Sequence, residues 1–455
     1  MISRTAVSRA SQLALRRQSC AQAQVRGYAA AASSGTFETF DVAGVSVVAK
    51  DGQGPSTKLA VVAKAGTRYQ PAPGLTAGLE AFAFKNTAKR SALRLTRETE
   101  LLGGQLTSYH TREAVVLEAS FLREHLPYFT ELLGEVVAET KFDKHELDEE
   151  ILPVLHIKQE KYAANPLAIA VDAAHSVAFH TGLGEAVNVS TTSPIGSYLS
   201  SSAVAALSTA AYARPNFAVV ADGATQVALS KWVEPFFKGT SATPSSQLSS
   251  AATKYYGGQQ RIESTAGNAV VVAFPTSGLN APDAAADVLA ALLGGSSSIK
   301  WTPGFSLLAK AAAGIPGSQI TASNQVYSDA GLLTIEIAGL TATDVRKAAD
   351  AAVAALKSIA TGTVSKEDLT KAIAKAKFDA LVSQEPSSAA VTAAGTAVLH
   401  GAKPFQPATV SKTFDAVTAD KLKTLAKKLV DGKASFAAVG DLHVLPFAED
   451  VGVTV

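Results

Sequence analysis

Apolar and polar residues alternate along two segments near the start of the chain, 37–50 and 58–65. Alternation with a period of two is typical of strands that bury one face, so we predict strands in both places. A turn-forming run follows at 70–73, and from Leu75 the apolar residues recur at helical spacing. This pattern predicts a helix that carries one ionisable side chain, Glu80, among alanine, leucine and phenylalanine residues.

The same pattern predicts both strands and helices up to residue 221. In chain order they are a helix at 96–102, strands at 105–109 and 114–121, a helix with an apolar stripe from 126 to 137, helices near 144–163, 166–180 and 201–212, and a strand at 216–221. Asp143 and Glu146 have the spacing of a capping box, in which two side chains bind backbone amides at the start of a helix. This mixture of elements indicates an α+β fold.

The second half of the chain repeats short segments of the first half in the same order. Residues 317–321 match 103–107, 365–369 match 143–147, 398–400 match 178–180, and 436–439 match 217–220, always about 220 residues apart. Four matches in one order at nearly one spacing indicate a duplication. We therefore predict two tandem homologous α+β domains of ordinary size at 36–237 and 254–455. A segment rich in serine, threonine and alanine at 238–253 is the predicted linker.

The first 28 residues differ in composition from the rest of the chain. They contain five arginines and no acidic residue, and Leu13 and Leu15 can form the apolar side of a basic amphipathic helix. This composition is typical of a mitochondrial transit peptide, whereas a secretory signal would need a continuous apolar run. The sequence R-G-Y-A at 26–29 resembles the cleavage pattern of the matrix peptidase, which predicts a cut after Tyr28. The alternative is a disordered basic tail.

Composition and charge narrow the function classes. Of the 455 residues, 47% are hydrophobic and 18% are charged, which is the balance of a globular protein with substantial cores. Five of the 41 Lys and Arg residues precede Tyr28, and none of the 39 Asp and Glu residues does. The mature chain is therefore slightly acidic and does not indicate a nucleic-acid partner. Cys20 leaves with the presequence, which excludes cysteine–metal sites, and no run predicts a transmembrane helix.

Residues 74–87 carry the most informative motif, G-L-T-A-G-L-E-A-F-A-F-K-N-T. The motif resembles the active-site helix of the pitrilysin-type metallopeptidases, whose zinc motif is H-x-x-E-H. In the mitochondrial branch of that family the motif continues into F-K-G-T, for which F-K-N-T stands at 84–87. Glu80 then takes the place of the general base, and Ala77 and Ala81 take the places of the two histidine ligands.

The resemblance implies that this chain does not bind the family's zinc ion. A catalytic zinc needs about three protein ligands and an open position for water, and alanine offers no lone pair. The family's third ligand, a glutamate on a later helix, falls near His156, and no acidic residue lies within 152–158. Without the metal, Glu80 has no activated water to use. We predict no metal, no cofactor and no catalytic residue, with Ala77, Glu80, Ala81 and His156 as vestigial positions.

The other candidate sites give weaker signals. Glu80 is either a remnant base that faces an empty cavity or a helix residue that pairs with a nearby lysine, and we favour the second interpretation. None of the eight histidines has the spacing of a zinc motif, so each is predicted to be a surface or hydrogen-bonded core residue. The serines at 296–298 lack a G-x-S-x-G context. The acidic run 146–150 and the basic run 421–428 are predicted to be solvated faces or docking surfaces.

Segments 293–300 and 327–332 resemble the non-catalytic core subunits of mitochondrial ubiquinol–cytochrome c reductase. That resemblance implies two tandem pitrilysin/processing-peptidase-like domains, each a mixed or antiparallel sheet covered by helices. It also implies a structural subunit, peripheral on the matrix side of the mitochondrial inner membrane, that is needed for assembly and stability of respiratory complex III. The implied partners, within a dimeric complex, are core protein 1, cytochrome b, cytochrome c1 and the Rieske iron–sulfur subunit. Contact with the membrane would come only through these other subunits.

Two alternatives remain open at the sequence level. One is the non-catalytic alpha subunit of the mitochondrial processing peptidase, which recognises substrates. A longer glycine-rich loop would be expected there, whereas this chain has two glycines followed by three serines at 294–298. The other alternative is an active metallopeptidase with unusual ligands. The loop sequence favours the respiratory subunit.

Overall fold

Two β-sheets, each covered by helices on both faces, form the framework of the protein. The structure is a computed structural model that describes residues 35–52, 54–191, 193, 195–243, 248, 252–295, 304, 306–315, 317–362 and 364–455. The predicted presequence at 1–28, the serines at 296–298 and part of the predicted linker at 238–253 lie outside the described residues.

The strands form two mixed sheets of the same plan. In chain order they are β1 (Glu38–Val42), β2 (Val45–Lys50), β3 (Ser56–Ala63), β4 (Gln105–His110), β5 (Val115–Leu122), β6 (Phe217–Asp222), β7 (Gly258–Glu263), β8 (Asn268–Thr276), β9 (Ser318–Val326), β10 (Gly331–Gly339) and β11 (Ser435–Gly440). The strand orders are β1-β2-β6-β3-β5-β4 and β7-β11-β8-β10-β9. The described sheets each contain a parallel pair, β2–β6 and β7–β11, among antiparallel neighbours. The predicted α+β fold with mixed sheets is confirmed.

The helices pack against these sheets in layers. In chain order they are α1 (Leu75–Phe82), α2 (Ala92–Leu101), α3 (Leu126–Glu139), α4 (Lys144–Glu146), α5 (Leu152–Ala163), α6 (Pro166–Phe179), α7 (Ile195–Tyr198), α8 (Ser201–Ala211), α9 (Gln226–Phe236), α10 (Ala284–Leu293), α11 (Leu307–Ala312), α12 (Ala342–Thr361), α13 (Lys366–Val382), α14 (Ser387–Leu399), α15 (Pro407–Asp415), α16 (Ala419–Asp431) and α17 (Ala448–Val451). None of the helices in the described part of the chain is long and apolar enough to cross a membrane.

The internal repeat predicted from the sequence corresponds to a structural repeat. Strands β7, β11, β8, β10 and β9 occupy the places that β2, β6, β3, β5 and β4 have in the first sheet. Gly103 and Gly317 precede the equivalent edge strands β4 and β9, and His180 and His400 end the equivalent helices α6 and α14. The prediction of two tandem homologous domains is therefore confirmed.

Each half of the chain contributes one helix that packs on the sheet of the other half. Helix α6, from the first half, packs on the second sheet, where Ala170, Ala174 and Ala178 meet apolar residues of β8 and β11. Helix α14, from the second half, packs on the first sheet, where Val391 meets Val62. Because side chains alternate between the faces of a strand, one face of each sheet packs on helices of its own half and the other face packs on the exchanged helix.

The exchange of helices qualifies the domain boundaries predicted from the sequence. Segments 36–237 and 254–455 each contain a complete sheet, but each packed core is finished by a helix from the other segment. The domain boundaries therefore remain a prediction, because neither segment by itself contains all the residues of the core around its sheet.

Two local predictions need correction at helix starts. Helix α2 begins at Ala92, four residues before the predicted start, because the Ser91 side chain accepts a hydrogen bond from the Arg94 amide and caps it. The capping box predicted before α4 is wrong. Asp143 holds the N-cap position without a side-chain cap bond, and Glu146 instead accepts a hydrogen bond of 2.5 Å from the Asn86 amide group.

A network of polar residues, most of them buried, joins the two halves around Arg68. The Arg68 guanidinium donates to Glu113 of its own half at 2.8 Å and, with both terminal nitrogens, to the Asp329 carboxylate of the other half at 2.7 Å. Glu113 also crosses between the halves, because it accepts from the Ser328 amide at 3.0 Å and the Ser328 hydroxyl at 2.6 Å. A bidentate arginine–carboxylate pair is strong and directional, so this network sets the relative position of the halves.

Asp329 is expected to make stability depend on acidity. Burial acts to raise the pKa of Asp329, but hydrogen bonds from Arg68 and Thr253 and the charge of Arg68 outweigh it and lower the pKa to about 2. A group with a lowered folded-state pKa stabilises the fold above its unfolded pKa and loses that effect as the pH falls. The free energy of unfolding should therefore decrease as the pH falls from about 4 to about 2. In urea unfolding at several pH values, Asp329→Asn should show a shallower decrease, and an unchanged slope would contradict the assignment.

Candidate functional site

A cleft of about 440 Å³ opens where α1 and α5 approach the edge strand β4. Its walls come from these three elements, from the loop residues 187–189, and from Asn165, Ala168 and Ile195. Helix α1 starts after Gly74, whose φ of 90° lies in the left-handed region that glycine adopts without strain. The cleft therefore lies at the motif that the sequence singled out, which makes it the candidate for a functional site.

The two positions aligned with histidine ligands both lie on α1. Ala77 is buried and lines the cleft, and Ala81 is half-buried and packs against the core of the first sheet. A methyl group cannot coordinate an ion. Within the described ranges, no group of three or more His, Cys, Asp or Glu side chains is placed to hold a metal ion. The residues of this cleft therefore do not fit the zinc ion that the family motif implies.

Glu80 is engaged on both carboxylate oxygens. Oε1 accepts a hydrogen bond of 2.8 Å from the Lys158 ammonium group, and Oε2 contacts Nδ1 of His110. The other ring nitrogen of His110 lies 3.0 Å from the carbonyl oxygen of Val187. The prediction that Glu80 pairs with a lysine is confirmed, and His110 adds a partner that the sequence did not suggest.

The environment of Glu80 favours its ionised form. Burial acts to raise the pKa of Glu80, but the hydrogen bonds and charges of His110 and Lys158 outweigh burial and lower the pKa. A general base needs a pKa near the working pH and an accessible lone pair. Glu80 has a lowered pKa, and both of its oxygens are already bound, so its environment is that of a structural ion pair.

Helix α5 approaches Glu80 through a residue other than His156. His156 is exposed, and its Nδ1 lies 3.1 Å from the side-chain oxygen of Gln159 on the same helix. The α5 side chain that reaches Glu80 belongs to Lys158, two residues further along. The α5 side chain that faces the motif on α1 is therefore the ammonium group of Lys158, whereas a metal site would need a side chain with a free lone pair there.

The F-K-N-T segment after α1 has a structural role in this fold. Phe84 adopts a φ of 61°, which turns the chain sharply at the end of the helix. Lys85 then pairs with Glu150 at 2.5 Å, and Asn86 donates to Glu146 at 2.5 Å. These contacts tie the end of α1 to the turn before α5, so the segment holds two walls of the cleft together.

His175 has the hydrogen-bonded core role predicted for a histidine. It is fully buried on α6, where its Nδ1 donates to the Val171 carbonyl oxygen at 2.8 Å. Its Nε2 lies 2.8 Å from the Tyr327 hydroxyl group of the other half. Burial, and then the charge of Arg112, lower the pKa of His175 to about 3, so the imidazole is neutral. His175 thus helps to bind the exchanged helix to the second sheet.

No sequence pattern identifies Lys158 and His110 as partners of Glu80. They lie 78 and 30 residues from Glu80 along the chain, and no short motif spans such distances. His110 follows directly after the predicted strand at 105–109 and ends the observed strand β4, and Lys158 lies inside the predicted helix at 144–163. Only the side-by-side packing of these elements with α1 brings the three charged groups together.

Comparison with known proteins decides the family. The family described as insulinase (peptidase family M16) matches residues 45–189, and the family described as the peptidase M16 inactive domain matches residues 200–376. A relative from Neurospora crassa, cytochrome b-c1 complex subunit 2, mitochondrial, is 58% identical over 100% of both chains. The chain belongs to the M16 peptidase family, among its cytochrome b-c1 complex subunit 2 members.

Other M16 relatives support this placement within the family. The cytochrome b-c1 complex subunit 2 of Cryptococcus neoformans is 37% identical over 91% of this chain and 94% of the relative. The alpha subunit of the mitochondrial processing peptidase from Solanum tuberosum is 25% identical over 89% of this chain and 81% of the relative. The higher identities lie with subunit 2, so the resemblance to the respiratory core subunits is confirmed and the processing-peptidase alternative is disfavoured.

Proposed function

We propose that this M16 chain is a non-catalytic structural subunit of the cytochrome b-c1 complex, respiratory complex III, needed for assembly and stability of that complex. The observation that carries the proposal is the similarity to subunit 2 proteins along the full chain, at 58% identity for the Neurospora crassa relative. A subunit of this kind contributes surfaces and rigidity, and the electron-transfer chemistry belongs to other subunits.

The residues of the cleft between α1, α5 and β4 support a chain without peptidase activity. A hydrolytic zinc site needs ligands, an open coordination position and a free base. This chain has alanines at 77 and 81, and Lys158 and His110 occupy both oxygens of Glu80. In this proposal the family's three metal ligands have been lost, at Ala77, at Ala81 and near His156. The chain is then an inactive peptidase homologue without a cofactor.

The fold supplies what a scaffold needs. The exchanged helices α6 and α14 and the Arg68 network make the two halves interlock, so the chain presents its outer surface as one rigid body. Several large apolar side chains lie on that surface, among them Phe378 and Leu381 of α13. Exposed apolar groups of this size are potential contact points for neighbouring subunits.

The partners and the location follow from the same proposal. The chain pairs with core protein 1 and contacts cytochrome b, cytochrome c1 and the Rieske iron–sulfur subunit within a dimeric complex. It lies peripherally on the matrix side of the mitochondrial inner membrane and reaches the membrane only through these subunits. The Arg-rich residues 1–28 support the mitochondrial address.

Purified chain is expected to contain no stoichiometric zinc and to cleave no presequence peptide. The physical reason is the donor set, since two alanines and an ion-paired glutamate cannot hold or use the metal. Metal analysis of the dialysed chain and incubation with a presequence peptide test this directly. One tightly bound zinc ion per chain would overturn the non-catalytic part of the proposal.

Co-purification tests the structural role. A tag on this chain should bring down haem-containing cytochromes, and on a native gel the chain should migrate with a haem-stained band. Depletion of the chain should lower the amount of that assembled band. A soluble zinc peptidase as the main co-purifying partner, without haem, would instead support the substrate-recognition subunit of the processing peptidase.

A further inference from the structure

The ion pair between Glu80 and Lys158 joins two elements that both line the cleft. The Lys158 ammonium nitrogen lies 2.8 Å from Glu80 Oε1, and the Glu80 side chain is only 12% exposed while that of Lys158 is 51% exposed. Glu80 stands on α1 between the positions of Ala77 and Ala81. Any ion bound through side chains at 77 and 81 would therefore have to lie close to this ammonium group.

His110 contacts the same carboxylate from the edge strand β4. Its Nδ1 contacts Glu80 Oε2, and its Nε2 lies 3.0 Å from the carbonyl oxygen of Val187. Both ring nitrogens of His110 therefore have an oxygen partner, a carboxylate on one side and a backbone carbonyl on the other. Glu80 is thus held between two basic side chains, His110 of β4 and Lys158 of α5.

We propose that Lys158 is the resident cation of this cleft: its ammonium group takes the place beside Glu80 that a divalent ion would need, and it excludes such an ion even if side-chain ligands are present at 77 and 81. The inference rests on the proposed non-catalytic function and deepens it, because it adds an active barrier to the loss of ligands. Like charges a few ångströms apart in a partly buried site repel strongly, and the retained glutamate stabilises the lysine.

Zinc binding to full-length variants tests the proposal. Four chains are compared by isothermal titration with zinc chloride and by metal analysis after dialysis: the unchanged chain, Ala77→His/Ala81→His, the same pair with Lys158→Glu, and the same pair with Lys161→Glu. The variant with Lys158→Glu should bind zinc at least about tenfold more tightly than the pair of histidines alone, because a repelling charge is replaced by a ligand.

Lys161 provides the matched control. It lies on the same helix and lines the same cleft, and no ion pair of it occurs among the described residues. Lys161→Glu changes the net charge by the same amount without touching Glu80, so it should gain little affinity. The proposal is overturned if the histidine pair alone binds as tightly as the variant with Lys158→Glu, or if Lys161→Glu restores binding equally. Zinc in the unchanged chain would instead refute the proposed function itself.

Thermal unfolding without metal gives a second and independent test. Lys158→Met should lower the melting temperature by about 1–2 °C, whereas Lys158→Arg and Lys161→Met should leave it nearly unchanged. In the cycle of Glu80→Gln, Lys158→Met and the double variant, the shifts should be non-additive, because each single change removes the same pair. Additive shifts would show that Lys158 and Glu80 act independently and would overturn the assignment.

Discussion

Replacement of Arg68 by methionine is expected to lower the free energy of unfolding by about 3–5 kcal/mol, the cost of leaving a buried charge without its partner. The Arg68 side chain is 5% exposed and lies 2.8 Å from Glu113 and 2.7 Å from Asp329. Methionine fills a similar volume, so the loss would report the missing hydrogen bonds and charge. Urea unfolding followed by circular dichroism is the measurement, and Arg68→Lys should also destabilise because it cannot bind Asp329 with two nitrogens.

A surface arginine gives the control for this prediction. Arg94 pairs with Glu98 one helical turn away, and its side chain is 60% exposed. Arg94→Met should change the free energy of unfolding by less than about 0.5 kcal/mol, because exposed pairs contribute little. If Arg68→Met and Arg94→Met had equal effects, the network between the halves would not be the structural joint described above.

Gly395→Val is expected to lower the free energy of unfolding by about 3 kcal/mol through overpacking at the exchanged helix. A Cβ atom at Gly395 on α14 would lie 2.5 Å from a methyl carbon of Val62 and 3.1 Å from one of Val220. Both partners are fully buried on the first sheet, and β-branched side chains have little rotamer freedom. The helix must therefore move away from the sheet, and thermal or urea unfolding measures the cost.

The matched substitution is Gly314→Val, at an exposed turn where a Cβ atom would meet nothing within 4 Å. It should change the free energy of unfolding by no more than about 0.5 kcal/mol. A native gel of the same variants measures how much of the haem-stained assembly forms. Gly395→Val should reduce the haem-stained assembly together with the amount of folded chain, because the scaffold depends on the packing of both halves.

The stability of each half of the chain depends on the other half. The Arg68 network and the exchanged helices make the halves interdependent, which is an advantage for a subunit that holds neighbours in place. In the cleft, the ion pair between Glu80 and Lys158 also links separate elements of the first half. Glu80, which the sequence motif aligns with the family's general base, connects α1, β4 and α5 in this structure.

Local patterns were enough for the elements, the repeat and the family. Strand alternation and helical spacing depend on neighbours within a few residues, and the match of 317–321 to 103–107 needs only a comparison of two short segments. The structure has strands and helices at these places. The motif with Ala77 and Ala81 is equally local, so the mismatch with a zinc site was visible in the sequence. The predicted capping box failed because Glu146 bound Asn86, a residue from a different element.

The tertiary structure alone decided which distant residues meet. Glu80 could be assigned to a lysine pair in general terms, but the choice of Lys158 and the contact with His110 depend on how α5 and β4 pack beside α1. Arg68 and Asp329 are 261 residues apart, and the exchange of α6 and α14 crosses the predicted domain boundary. Periodicity specifies which face of an element is buried, whereas the partner on that face is selected by packing of the whole chain, which no local pattern encodes.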